Sequence, residues 1–455
     1  VWCYFQIIKK LLLYLNPDSV GIFYFKIIRM QKLQKGDSKL LNAWAFYDWA
    51  NSVYALVISS TIFPLYYGAL FRQKNIEEIV LFGFSVRSEA LISYVTALGF
   101  LIIAFISPLL SGIADYMGNK KFFLKLFCYV GATSCMSLYF FSLDTVVLSL
   151  VSYLLALIGF WGSLVFYNSY LPDIAHKDQQ DKISAKGFSL GYVGSVVLLL
   201  ICLAAVMSVE DDQKLQMMRY SFLLVGIWWI GFSQYTYYYL PNNKNDNKLH
   251  KNVLFNGFKE LRKVWQQIKE LKSLRRYLGA FFVYSMAVQT IMIIAAYFGE
   301  KEVQWGSDSK RTMGLIVSIL LIQLIAVLGA WLTSKLVAKY GNITILIGLN
   351  FSWILICTYA YFVVTPNDFY IAAAFVGLVM GGIQSLSRST YSKFIPEDTK
   401  DTTSFFSFYD VAEKIGIVIG MFTYGYIADV TGKIQNAILF LILFFVVGLL
   451  LLLRV

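Results

Sequence analysis

The chain has 455 residues, 58% of them hydrophobic and only 15% charged, and a mean hydropathy of +0.63. A soluble domain carries roughly a quarter charged residues, so this composition excludes a soluble globular protein and indicates a polytopic membrane protein. The formal net charge of +12 does not indicate a nucleic-acid partner, because the basic residues sit between apolar stretches, where membrane topology accounts for them.

In chain order, residues 1–29 are aromatic and basic and contain no uninterrupted run long enough to span a bilayer. Met30 opens a conventional polar lead-in, so the reading is either a natural start at Met30 or a surface-lying amphipathic piece before it. No cleavable signal peptide is expected, since Lys9-Lys10 and Asn16-Pro17-Asp18 break the early apolar runs. From Leu41, twelve apolar segments of spanning length follow: 41–70, 89–111, 120–142, 145–170, 187–208, 219–240, 277–299, 312–334, 343–364, 368–391, 404–428 and 434–453. With the N-terminus inside, the inner loops hold twenty-one Lys and Arg against nine in the outer loops. The positive-inside rule then places both termini in the cytoplasm of a multi-pass membrane protein.

The longest loop, Pro241 to Arg276, divides the chain into two halves of six segments. Its first part, Asn242 to Asn252, reads as polar and flexible. In its second part Leu254, Phe258, Leu261, Trp265, Ile268 and Leu271 recur at three- and four-residue spacing, which predicts a basic amphipathic helix on the inner membrane surface. The organisation expected is therefore a 1–40 cytoplasmic segment, a 41–240 six-helix half, a 241–276 linker and a 277–455 six-helix half. This is an all-α membrane protein with twelve transmembrane helices, the plan of a major facilitator with its site between the halves.

Segment one places Asp48 and Asn51 three residues apart on one helix face, with Trp44 and Ser52 extending the stripe. Asp48 lies nine residues past Lys39, roughly 13 Å deeper along a helix. An acid at that depth costs on the order of 2.5–3.5 kcal/mol to insert, so it is expected to face a bundle interior, either as a transport residue or as a hydrogen-bond partner of a neighbouring helix. The loop after segment two, Gly112-Ile-Ala-Asp115-Tyr-Met-Gly118-Asn-Lys120-Lys121, resembles the major facilitator signature between helices two and three. Gly112 permits close helix approach, Gly118 ends the helix, and Asp115 caps or pairs with a facing helix, a contact suited to one gate state. The matching place after segment eight has Ala338 where an acid would complete the repeat, so the second gate copy is degenerate.

In segments ten and eleven, Gln384 and Arg388 share a face, as do Asp410 and Lys414, with Glu413 beside them. Two readings stand: a static ion-pair lock, or Arg388 or Lys414 meeting a substrate carboxylate while Asp410 or Asp48 meets an amine or proton. The four-residue glycine pairs Gly187/Gly191, Gly377/Gly381 and Gly416/Gly420 read as packing seams, and Trp228-Trp229 and Tyr237-Tyr238-Tyr239 as interfacial anchors. Cys3, Cys128, Cys135, Cys202 and Cys357 are scattered and suggest neither a disulfide nor a metal. No phosphate loop occurs and both His176 and His250 fall in loops, which argues against ATP drive and against an integral-membrane enzyme.

Asp48-Trp-Ala-Asn51-Ser-Val-Tyr54, Ile62-Phe-Pro64, Phe166-Tyr167-Asn168-Ser-Tyr-Leu171-Pro172, Ser184-Ala-Lys-Gly187-Phe-Ser-Leu-Gly191, Gly381-Gly382-Ile-Gln384-Ser-Leu-Ser387-Arg388 and Phe405-Phe-Ser-Phe-Tyr409-Asp410 together resemble the "unknown major facilitator" family. That family includes the autophagy-related vacuolar amino-acid effluxers, and the resemblance runs from about Asn42 to Gly432. It implies secondary active transport of a small solute by alternating access, with an amino acid as substrate class and export as direction. A drug or metabolite exporter and a non-transporting scaffold or sensor on the same fold are the alternatives. In segment seven the family pattern Tyr-Asn-Asp-Gly-Val-Gln-Thr meets Tyr284-Ser285-Met286-Ala287-Val288-Gln289-Thr290, which lacks the acid. The candidate substrate and coupling residues are Asp48, Asn51, Tyr54, Tyr167, Asn168, Gln289, Gln384, Arg388, Asp410 and Lys414. The candidate gating residues are Gly112, Asp115, Gly118, Lys120 and Lys121. The expected partners are a small-molecule solute, a proton or cation as coupling ion, and the lipid bilayer. No cofactor, metal or nucleic acid is expected, and the chain is read as a monomer.

Overall fold

A computed structural model describes residues 33–76, 78–81, 83–242 and 253–455. The expectations for 1–29, for the polar linker from 243 to Asn252 and for the side chain of Leu254 lie outside the described residues.

The first helix, α1 (Ser38–Val53), starts where the Asp37 carboxylate accepts from Lys39 N and Leu40 N at 2.7 and 3.3 Å. A π-helical turn over Tyr54–Ser59 interrupts it, and α2 (Ile62–Gln73) completes the first span, with Pro64 in a first turn where its missing N–H is harmless. An antiparallel hairpin follows, β1 (Glu78–Leu81) with β2 (Phe84–Arg87), in register Glu78 to Arg87. The apolar periodicity gave no sign of this small element.

Spans two to six are α3 (Ser88–Met117), α4 (Lys120–Ser137), α5 (Val146–Asn168), α7 (Lys177–Met207) and α8 (Lys214–Tyr239), with the one-turn α6 (Leu171–Ile174) between α5 and α7. Gly118 ends α3 in the left-handed region at φ 62, its N–H returning to Asp115 O and Ala114 O. The linker helix is α9 (Val253–Glu270). Spans seven to twelve are α10 (Lys272–Glu302), α11 (Asp308–Tyr340), α12 (Asn342–Ala360), α13 (Pro366–Phe394), α14 (Thr402–Thr431) and α15 (Ile434–Leu452).

Each expected apolar segment coincides with one span. Most helices run longer, α7 by ten residues at its start, because their polar ends extend past the apolar core and bond to neighbouring helices. Ten of the spans are long and apolar enough to cross a membrane by length and composition alone. The other two, α8 and α14, carry more polar groups, in α14 because it holds Asp410, Glu413 and Lys414.

Several expectations about packing change. Trp229 is fully buried beside Tyr54 and Gly131, and Tyr237 is buried too, so neither is an interfacial anchor. The linker helix α9 rests on only part of its predicted stripe, with Ile268 buried and Leu261 and Leu271 half-buried. Gly257, Val264 and Ile268 are buried, whereas Phe258 and Trp265 are 60% and 43% exposed. The reason is Gly257, whose carbonyl lies 2.3 Å from where a Cβ on Gly112 of α3 would stand. Close approach of two glycine backbones thus sets the rotation of α9, and glycine is silent in a hydrophobic pattern.

Candidate functional site

The ends of α3, α8 and α13 and the starts of α1, α7, α10 and α14 share one end of the bundle with α9, here termed the linker end. Trp44, Asp48 and Asn51 are buried in α1, as the depth argument required. Asp48 Oδ2 accepts from Nη1 and Nη2 of Arg388 in α13, both at 3.2 Å, and from the Tyr167 hydroxyl at 2.9 Å. Arg388 is otherwise saturated: its Nε donates to Ser184 Oγ at 2.9 Å, Nη2 to Ser184 O at 2.9 Å and Nη1 to Asn168 Oδ1 at 3.3 Å. Its guanidinium stacks 4.8 Å from the Trp44 ring and 4.2 Å from Phe188. The pair is nearly dry, with side-chain exposures of 4% and 7%.

Gly187 makes room for it. A Cβ there would lie 2.4 Å from Asp48 Oδ2, so this glycine clears space for the ion pair as well as packing α7 on α1. The seam reading holds without that addition for Gly377 and Gly381, which lie on Ile322 and Ala326 of α11, and for Gly420, which lies on Met286 and Thr290. A buried ion pair with a full set of hydrogen bonds holds its two elements in one geometry, and removing either partner strands a charge. Here α1 belongs to the first six spans and α13 to the last six.

A second cluster lies on α14, deeper in the bundle. Lys414 is fully buried, with its Nζ 3.0 Å from Asp410 Oδ1, 2.6 Å from Glu413 Oε2 and 3.6 Å from the centre of the Trp161 ring on α5. Ser107 of α3 donates to Asp410 Oδ2 at 3.3 Å, and Gln289 of α10 donates to Glu413 Oε1 at 2.7 Å. Between the clusters, Tyr192 of α7 donates to Gln384 of α13 at 2.7 Å.

The gating motif is split in its contacts. Asp115 accepts from Thr403 N at 3.2 Å and Ser404 N at 2.6 Å, capping α14 of the opposite half. Lys120 reaches Asp173 at 2.5 Å and, across the halves, Thr402 Oγ1 at 3.0 Å. Lys121 instead donates to Leu240 O in its own half, and Gly112 receives α9 rather than a facing span. Further linker-end bridges join Lys393 to Asp181, Lys177 to Glu397 at 3.1 Å and Lys263 of α9 to Asp401 at 2.7 Å. The Asp401 carboxylate beside Lys263 holds its ammonium above the usual lysine range. All these cross-half contacts fall at or on the linker side of the helix midpoints.

Of the ten substrate and coupling candidates, the structure brings Asp48, Tyr167, Asn168 and Arg388 into one cluster and Gln289, Asp410 and Lys414 into another, with Gln384 between them. Tyr54 joins neither: its ring stacks on Phe160 and its hydroxyl is buried without a partner. Asn51 holds Ser52 Oγ at 3.3 Å, and its amide nitrogen is buried without a partner. Ser184, Ser107 and Trp161 were not singled out as site residues. Only Ser184 carried a signal, as the first residue of the Ser-Ala-Lys-Gly stretch.

Two groups of six spans, bridged between α1 and α13 and between α3 and α14, define the major facilitator fold. Solved structures agree: FucP, a major facilitator transporter crystallised in the outward conformation, is similar with a TM-score of 0.67 at 14% identity, over 91% of this chain and 98% of that one. Residues 36–455 match the family described as "Vacuole effluxer Atg22 like", and the chain belongs to that family of transporters. It is 30% identical to the uncharacterized MFS-type transporter YxiO of Bacillus subtilis, over 92% of this chain and 95% of the relative. It is 25% identical to autophagy-related protein 22 of Saccharomyces cerevisiae, over 80% and 77% respectively. The protein is thus an integral, multi-pass transporter and not an enzyme.

Proposed function

We propose that the chain is a secondary active transporter that exports a small solute bearing both charges, an amino acid being the simplest, by alternating access. Residues 41–240 and 277–455 are the two moving halves, 241–276 is the linker, and one copy of the chain works alone in a bacterial inner membrane with both termini cytoplasmic. The observation that carries this reading is the dry Asp48–Arg388 pair, one partner from each half, in a protein closed at its linker end. When the halves rock open on the linker side, this pair must part. Arg388 then offers a planar fork of donors suited to a carboxylate, and Asp48 offers an acceptor for an ammonium group. A zwitterion supplies both replacements at once, so binding compensates for the broken pair. The export direction draws on the effluxer family description, and the orientation on the excess of Lys and Arg in the linker-side loops.

One observation favours a second reading, a sensor that binds without transporting: the acids expected at positions 338 and 286 are Ala and Met. A thermal-shift screen of the purified protein against amino acids, sugars, nucleosides and drugs tests the first step, since a ligand stabilises by RT ln(1 + [L]/Kd). Labelled hits are then followed in proteoliposomes. The expected result is amino-acid uptake that Asp48→Asn and Arg388→Ala abolish. Binding without uptake favours the sensor, and uptake indifferent to both substitutions removes the site assignment.

A further inference from the structure

We infer that Glu413 is the carboxylate that takes up and releases the coupling proton of this transporter; the inference rests on the secondary-transport reading. Asp410 and Glu413 both contact Lys414, so the cluster carries two negative charges against one positive, while the amide of Gln289 adds none. The Asp48–Arg388 pair elsewhere is balanced. Glu413 is the twelfth residue of α14, roughly 16 Å along the helix from its linker end, near the middle of a hydrocarbon core about 30 Å thick. A net charge at that depth is costly, and one proton removes it.

The geometry selects Glu413 as the carrier. Its side chain is 15% exposed, against 7% for Asp410 and none for Lys414, which makes it the most accessible of the three. Its two oxygens are held separately, Oε1 by Gln289 and Oε2 by Lys414, so protonation at Oε2 displaces only the ammonium. Lys414 then turns wholly to Asp410, already 3.0 Å away, and the triad becomes neutral. From α14 itself Tyr409 faces the cluster, from α10 Tyr284, from α3 the neutral Ser107 and from α5 Trp161, with Arg388 of α13 beyond Tyr409. The packed α15 has no titratable side chain between Ile434 and Leu452. Ser107 and Trp161 belong to the other half, so rocking removes the partners of Asp410 and Lys414 and changes the affinity of the triad for its proton.

The step is a single proton transfer. An O–H bond forms on Glu413 with a proton from water on the side away from the linker, and its cleavage returns that proton to water on the linker side.

Infrared difference spectra of the full chain in nanodiscs, recorded against pH without any solute, test this. The wild type is expected to gain a protonated-carboxyl carbonyl band on acidification. Glu413→Gln should lack that component, and Asp48→Asn should keep it. A Glu413→Gln spectrum that superimposes on the wild type overturns the proposal. Should that variant fail to fold, Glu413→Asp is read instead: its carbonyl band should move in frequency, and an unmoved band overturns the proposal equally. Because only protons are used, a failed solute screen bears on the transport reading and not on this result.

Discussion

Arg388 makes five hydrogen bonds inside the protein, to three residues that all lie in the other half. Its truncation to Ala leaves the Asp48 carboxylate dry, with only the Tyr167 hydroxyl to hold it. Breaking a buried pair in this way costs about 3–5 kcal/mol, so Arg388→Ala should lower the melting temperature by several degrees. Asp48→Asn, which keeps the shape and removes the charge, strands the guanidinium less severely because Ser184 and Asn168 still accept from it. The double variant should recover part of the loss, and a coupling near zero in the double-mutant cycle would refute the lock. At this scale the sequence was informative wherever a charge interrupted an apolar run: Asp48, Arg388, Asp410 and Lys414 all proved to be paired and buried. Spacing along one helix says which residues share a face, but not what the face meets. Tyr54 therefore went astray, since it points at Phe160 inside its own half, and Ser184 was passed over, since a serine in a membrane helix is unremarkable until an arginine from another helix reaches it.

The linker helix shows how far an element can be read from pattern. Its existence and basic character were legible in residues 254–271, yet its rotation was not, because the contact that fixes it is between two glycines. Gly112→Val should separate α9 from α3, since the added atoms would overlap the Gly257 carbonyl. The expected outcome is faster protease cleavage within α9 with the melting transition of the spans little changed. Unchanged cleavage would mean that Lys263–Asp401 and the Val264 and Ile268 contacts alone keep α9 in place. The helix ends were legible only to within about ten residues, as α7 shows. Hydropathy sees the part of a helix that sits in lipid, whereas the first turns of α7 are polar and bonded to α12 and α13 through Asp181.

Over the whole molecule, twelve spans in two sixes followed from apolar length and loop charge, which are the properties the bilayer itself selects. The state of the molecule did not follow, because closure at one end depends on pairings between segments two hundred or more residues apart. Asp181 and Lys393 mark that closure. With Cys at both positions and Cys3 replaced, a short bifunctional thiol reagent should hold the linker end shut and stop transport, and a cleavable reagent should restore it. The native Cys128, Cys135, Cys202 and Cys357 are buried and should stay unlabelled. Uptake that persists after complete cross-linking would show that the linker end need not open.

The linker-end bridges differ in their access to water, and ionic strength therefore acts on them unequally. Lys177–Glu397 is half exposed on both sides, and Lys263–Asp401 on one, whereas Asp48–Arg388 is dry. Dissolved ions screen exposed charges beyond roughly 8 Å at 0.15 M and nearer 3 Å at 1 M, but hardly enter a dry pair. Added salt should thus loosen the rim of the closure and leave its centre intact, so that the balance between closed and open forms drifts with the salinity of the compartment facing the linker.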